Sequence, residues 1–113
     1  MQRHTYALVS IGQGKLDLVP RSVGRWWDDH DEIDVVAVGE EGALLGECKW
    51  TTRPVGTNVL AELRRKAQPL LARQGWRRVT YALFARAGFT SALRDDAARE
   101  GVILLDLAAI TGP

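Results

Sequence analysis

The sequence predicts one α/β domain, a mixed β-sheet with helices packed on it. Three observations predict this class: a length of 113 residues, closely spaced β-prone runs in the first half, and alternation of helical and β patterns in the second. The composition is globular, with 46% hydrophobic and 26% charged residues. We expect the order β-β-β-α-β-α-β, in which an antiparallel three-strand meander precedes strands joined by helical crossovers.

The first half of the chain contains three strand-like segments. Residues 5–11, "TYALVSI", fit a helix or a strand equally well, and the glycines of "IGQGKL" end that element. "VGRWWD" then predicts a short strand, and 32–38, "EIDVVAV", a second. "GEEG" at 39–42 is a hairpin connection, which leads into a third strand at 43–50, "ALLGECKW".

From residue 56 the apolar residues follow a helical period. Asn58 is a candidate N-cap, Pro69 is expected to bend the helix or end its first segment, and Gly75 ends it. The apolar stripe consists of Val59, Leu60, Leu63, Ala67, Leu70 and Leu71.

Two strands and one helix complete the predicted domain. "RRVTYALFA" at 77–85 is typical of a strand covered on both faces. Thr90 caps a helix over 91–100 that stops at Gly101, and "VILLDL" at 102–107 is the last buried strand.

The cysteine count and the hydropathy of the sequence indicate the cellular compartment that the protein is suited to. The single cysteine excludes an internal disulfide and fits a reducing compartment. No signal peptide is visible, and no apolar run approaches the ~20 residues that span a bilayer. The sequence therefore predicts a cytoplasmic domain without a membrane segment.

The net charge of +1 conceals a strong asymmetry along the chain. Residues 28–47 contain eight acidic and no basic residues, whereas 53–86 contain eight basic residues and one acid, Glu62. This pattern fits a metal site beside a phosphate track. It equally fits two solvated faces that attract each other, and charge counts alone favour that second interpretation.

An acid and a base occupy one face of the third predicted strand. Because side chains alternate along a strand, Glu47 and Lys49 should point the same way and Cys48 the other. A surface salt bridge would explain Glu47 with Lys49. Cys48 is expected to be a small core residue, and Trp50 to be packed like most tryptophans.

The hairpin register predicts a partner for Glu47. If the turn is centred between residues 40 and 41, paired residue numbers add to 81, and Asp34 faces Glu47 across the strands. Directly opposed like charges are destabilising, and a divalent cation removes that objection. Oxygen ligands favour Mg²⁺ or Mn²⁺, and Lys49 would hold the attacking water or the phosphate. A slip of one residue would move Asp34 to the wrong face.

"VGRWWDDHDEIDVVAV" followed by "ALLGECKW" resembles the PD-(D/E)XK, or restriction-endonuclease-like, nuclease superfamily. More closely, it is similar to the uncharacterised domain found C-terminal to archaeal-type AAA+ ATPases. The similarity extends from about Val23 to Asp106 and is most specific at "VGRWW", "EIDVVA" and "GECKW". It implies a nuclease core over 23–113 with a restriction-endonuclease-like mixed sheet.

The resemblance also implies residue roles. Asp34 and Glu47 would bind Mg²⁺ or Mn²⁺, with the backbone carbonyl of Cys48 completing the metal shell, and Lys49 would be the catalytic lysine. The resemblance favours DNA over RNA as the substrate and leaves both open. A solvated helix face is the default for Arg64, Arg65 and Lys66, and phosphate contact is the weaker interpretation. The weak nucleic-acid-binding candidates are Arg25, Arg53, Arg64, Arg65 and Lys66.

The chain departs from the superfamily pattern at its beginning. The superfamily usually carries a glutamate on a helix ahead of the first strand, and residues 1–22 contain none. We expect 1–22 to be the remnant of that helix with its connection, and the chain to be a fragment of a protein with an AAA+ ATPase domain. The alternative function is an inactive accessory, DNA-binding or dimerisation module of such an ATPase. Whether the chain forms a homodimer is left open.

Overall fold

A computed structural model of the chain describes residues 2–3, 22–27, 31–39 and 42–106. Six strands form one sheet in sequence order, and two helices follow the fourth and fifth strands. The elements are β1 (Gln2–Arg3), β2 (Ser22–Trp27), β3 (Glu32–Val38), β4 (Gly42–Lys49), α1 (Thr57–Gln74), β5 (Arg78–Ala85), α2 (Ser91–Glu100) and β6 (Ile103–Asp106).

The sheet is mixed, as the sequence predicts. Strands β1 to β4 are antiparallel neighbours, whereas β4, β5 and β6 are parallel. Parallel neighbours need a crossover, and α1 and α2 provide the two crossovers. Strand β1 was not predicted. Residues 4–21 lie outside the described residues, so the helix remnant at 1–22 stays a prediction.

The predicted hairpin register is confirmed. Val35 pairs with Gly46 and Val38 with Ala43, so that paired numbers add to 81. At the turn, the Gly39 N–H donates to the Gly42 carbonyl at 2.9 Å. The mirror-image spacing of the two strands about residues 40 and 41 therefore determines which side chains meet.

Strand β3 changes register against β2 beside the predicted site. Gly24 pairs with Val36 and Trp26 with Ile33, which leaves one intervening residue on β2 and two, Asp34 and Val35, on β3. A β-bulge of this kind redirects side chains locally and is frequent next to active sites.

Two apolar clusters cover the sheet. The first combines Ile33, Leu45 and Leu83 with buried residues of both helices, such as Leu63 and Leu93. The second consists, within the described residues, of strand side chains alone. Its members are Val35, Ala37, Leu44, Ala82, Phe84, Ile103 and Leu105, with Cys48 packed against it.

Helix α1 departs from prediction at two positions. Its N-cap is Gly56, without a side-chain hydrogen bond, so the prediction of Asn58 as N-cap was wrong. Pro69 does not end the first segment of the helix, so that alternative was wrong, whereas the expected bend stays a prediction. A proline inside a helix costs about 3 kcal/mol, and here the burial of Leu63, Ala67 and Leu70 around it offsets that cost.

The remaining helix boundaries are confirmed. Gly75 and Gly101 adopt the left-handed conformation, with φ of 63° and 71°, that glycine tolerates best. The Thr90 hydroxyl accepts a hydrogen bond from the Leu93 N–H at 3.2 Å.

We expect Gly46→Ala to destabilise the sheet beside the candidate site. An added Cβ would lie 2.8 Å from Cε2 of Phe84 and 3.3 Å from Cβ of Val35. Overpacking of this kind costs about 1–3 kcal/mol of unfolding free energy, measured by urea denaturation. In a Phe84→Leu background the same substitution should cost less, because the aromatic edge is gone. Equal costs in both backgrounds would show that Phe84 is not the obstacle.

Candidate functional site

Glu47 lies near the end of β4, on the sheet face that α1 covers. It is 8% exposed and is the one buried charged residue in the part of the chain that the structure describes. Its Oε1 accepts a hydrogen bond from Nζ of Lys66 on α1 at 2.6 Å. The same ammonium donates to the backbone carbonyl of Glu32 at 2.8 Å, so Lys66 links α1 to both β3 and β4.

Asp34 lies beside Glu47, as the confirmed register requires. Its Oδ2 accepts a hydrogen bond from the Cys48 N–H at 3.0 Å. This bond holds the carboxylate against the end of β4, where the regular β3–β4 ladder has ended.

The two carboxylates affect each other's chemistry. The pKa of Glu47 is raised, first by burial and further by the hydrogen bond and charge of Asp34, whereas the bond from Lys66 opposes the increase. A pKa that is raised by a like-charged neighbour is typical of carboxylates placed to share a cation or a proton. Two acids have therefore been brought together at an energetic cost that Lys66 reduces.

A cleft of about 250 Å³ opens next to Glu47, between the end of β4 and one face of α1. Its helix residues are spaced by about one turn, which places them on one face. Lys49 lines the same cleft as Glu47, in agreement with the strand alternation. The lining residues are Glu47, Lys49, Asn58, Val59, Glu62 and Lys66.

The donor chemistry of Asp34 and Glu47 fits a hard divalent cation. Mg²⁺ commonly binds through one or two carboxylates and retains several waters. Among the described residues no three His, Cys, Asp or Glu side chains are placed to hold a metal ion together, so any ion would depend on this pair, backbone oxygen and water. The Cys48 side chain packs against the second apolar cluster, and burial, and then Asp34 and Glu47, raise the pKa of its thiol to about 11.

A model of the family DUF234, archaeal and bacterial proteins of unknown function, matches residues 4–67. The chain belongs to this family. The match includes Asp34, Glu47, Lys49 and Lys66. No curated protein and no solved structure matches the chain. In the described part of this DUF234 domain, no helix is both long and apolar enough to cross a membrane.

Most of the predicted phosphate-binding residues have carboxylate partners. Arg25 lies 3.9 Å from Glu32, and Arg64 pairs with Glu100 and stacks over the Tyr81 ring at 5.4 Å from its centroid. The acidic and basic segments contact each other through two other pairs, Arg65 with Asp31 and Lys66 with Glu47, as the interpretation of attracting faces expected.

Arg65 and Arg53 differ in their surroundings. Arg65 contacts Asp31 at 2.8 Å and also pairs with Glu62, whose pKa that bond lowers. Arg53 is exposed on the loop between β4 and α1, where its backbone carbonyl accepts a hydrogen bond from the Thr51 hydroxyl. Arg53 is consequently the predicted base best placed to meet an external ligand.

Trp50 is not packed, contrary to prediction. It is 66% exposed, because β4 ends at Lys49 and the next residue leaves the sheet. The loop after β5 lies alongside, where the Arg86 N–H donates to the Lys49 carbonyl at 3.0 Å. A parallel bridge between Val55 and Phe89 joins the two loops. An exposed indole and exposed arginines therefore lie on the loops that follow β4 and β5, the first of which begins directly after Lys49 of the cleft.

Lys66 was missed as a partner of Glu47. The sequence placed it on the solvated face of α1, with phosphate contact as the weaker interpretation. One feature of the sequence could have indicated this contact. Lys66 lies three residues after Leu63 and four before Leu70, and both leucines are buried. A lysine at the border of an apolar stripe can bury its stem and direct its ammonium toward the neighbouring sheet.

We expect the folded chain to resist alkylation at Cys48, its single cysteine. With the pKa raised to about 11, the thiolate fraction at pH 8 falls. Reaction with iodoacetamide should be about 100-fold slower than in the urea-unfolded chain and should accelerate as pH rises. Equal rates in the folded and unfolded chains at pH 8 would contradict the elevated pKa.

Proposed function

We propose that this chain is a metal-dependent nuclease domain of the PD-(D/E)XK superfamily, with a restriction-endonuclease-like fold. It would hydrolyse phosphodiester bonds of nucleic acid, with DNA favoured over RNA. The observation that carries the proposal is the pair of carboxylates, Asp34 and Glu47, held together at the edge of a cleft that also contains Lys49.

The chain's own residues supply distinct parts of this activity. Asp34, fixed by the Cys48 N–H, and Glu47 would hold Mg²⁺ or Mn²⁺, together with the Cys48 backbone carbonyl. Such an ion lowers the pKa of bound water and stabilises charge on phosphate oxygens. Lys49, in the same cleft, would place a positive charge where negative charge grows on the phosphate.

The surface next to the cleft supports nucleic acid as the substrate class. Trp50 offers an exposed aromatic face for a base, and Arg53 and Arg86 are exposed on the adjoining loops. Aromatic stacking beside positive charge is how proteins bind unpaired nucleotides without sequence preference. We propose that this loop surface holds the strand whose phosphate enters the cleft.

A second candidate is an inactive accessory, DNA-binding or dimerisation module of an AAA+ ATPase. The observation that favours it is the Lys66–Glu47 ion pair, which already compensates the buried acid. Within the described ranges, every buried polar side-chain atom has a hydrogen-bond partner. A site satisfied in this way is stable without a metal.

We expect Glu47→Gln to abolish Mn²⁺ binding in calorimetry and metal-dependent cleavage of supercoiled, branched or single-stranded DNA. Glutamine keeps an acceptor for Lys66 but loses the charge that a divalent ion requires. Glu62→Gln is the matched control, because Glu62 lines the same cleft but pairs with Arg65 at the surface. That variant should bind Mn²⁺ as wild type does.

Two results would decide against the nuclease. Equal cleavage by wild type and Glu47→Gln would exclude the proposed mechanism, since the nuclease activity would come from elsewhere. Absence of Mn²⁺ binding in wild type would make the accessory module the leading candidate.

We expect Trp50→Ala to weaken binding of single-stranded oligonucleotides, measured by fluorescence anisotropy. Loss of one stacked base should cost roughly 5- to 100-fold in affinity, whereas Trp50→Phe should retain much of the binding. Arg53→Ala should weaken binding uniformly across sequences and reduce its dependence on salt. Thr52→Ala, at an exposed position of the same loop, is the control. Unchanged affinity in Trp50→Ala would remove the loop surface from the proposal.

A further inference from the structure

We propose that Lys66 is a built-in cation of this site, whose ammonium a divalent metal must displace in order to bind Glu47. The inference rests on the proposed metal site and adds a regulatory step to it. In the metal-free protein, Lys66 stabilises the buried acid. When a metal binds, the ammonium moves into the cleft beside Lys49.

The ligands of the ammonium support this role. Nζ of Lys66 lies 2.6 Å from a carboxylate oxygen of Glu47 and 2.8 Å from the backbone carbonyl oxygen of Glu32. Carboxylate and carbonyl oxygens are also the donors that bind hard divalent cations. The positive charge of Lys66 thus has the same kind of environment that a metal ion would require.

Burial separates this pair from the ion pairs on the protein surface. The side chains of Lys66 and Glu47 are 13% and 10% exposed. The neighbouring pair on α1, Arg65 and Glu62, has side chains that are 57% and 53% exposed. Exposed pairs contribute little to stability, but loss of one partner of a buried pair leaves a costly uncompensated charge. Lys66 and a metal are therefore alternative means of compensating the same acid.

The position of Lys66 on α1 gives the displaced ammonium a destination. Lys66 lines the cleft together with Lys49, and four methylene groups separate its ammonium from the helix backbone. After displacement, two ammonium groups would border the volume in which a phosphate binds. Lys66 would then contribute to substrate binding only in the metal-loaded protein.

The first test compares Mn²⁺ affinity in Lys66→Met and Arg65→Met by calorimetry. Methionine keeps most of the length of either side chain and removes its charge. Lys66→Met should bind Mn²⁺ at least about fivefold more tightly than wild type, because the competing cation is gone. Arg65→Met removes an equal charge from the adjacent position and should stay within about twofold of wild type, because Arg65 does not contact Glu47.

The second test uses the wild-type chain and needs no variant. The chain contains three lysines, Lys15, Lys49 and Lys66, so their acetylation by a limiting reagent can be quantified separately by mass spectrometry. Saturating Mn²⁺ should raise the acetylation rate of Lys66 relative to Lys15, because the ammonium leaves its acceptors. A merely structural lysine would show no such change.

The outcomes separate this inference from the proposed function. If wild type binds Mn²⁺ while Lys66 acetylation is unchanged, the inference is overturned and the metal site stands. If neither wild type nor folded Lys66→Met binds Mn²⁺, both are overturned. Binding by Lys66→Met alone would overturn displacement, because Lys66 would then exclude the metal from the wild-type site. Should Lys66→Met fail to fold, the acetylation rates of wild type decide the question.

Discussion

The structure around the site depends on one constraint, the register of the β3–β4 hairpin. Its turn places Asp34 next to Glu47, where the two carboxylates repel each other close to the covered face of the sheet. Something must compensate them, and Lys66 does so from α1 while also bonding to β3. That compensation links α1 to both strands and determines which charges are available at the cleft.

The architecture was largely predictable, because local signals agree with it. Alternating apolar residues and a short turn predict the hairpin, and Thr90, Gly75 and Gly101 mark helix boundaries through their own backbone and side-chain preferences. The exceptions are places where tertiary packing prevails over local preference. Pro69 stays inside α1 because buried neighbours hold the helix together, and Gly56 replaces Asn58 as the N-cap.

The site was only partly predictable. Asp34, Glu47 and Lys49 follow from strand alternation and register, which are local rules. The Lys66–Glu47 pair depends on how α1 is rotated over the sheet, and nothing within either element specifies that rotation. Trp50 illustrates the same limit, since its exposure depends on where β4 ends and on what the adjoining loops leave uncovered. Contacts between separate helices, strands and loops are therefore the part of the site that the sequence did not predict.

The most direct test of this account is a crystal structure determined with and without Mn²⁺, using the anomalous signal of the metal. The account predicts an anomalous peak bound by Asp34 and Glu47, with Nζ of Lys66 withdrawn from Glu47 in that crystal and bonded to it in the metal-free one. A metal-soaked crystal without a peak at these carboxylates, and with the Lys66–Glu47 bond intact, would contradict the account.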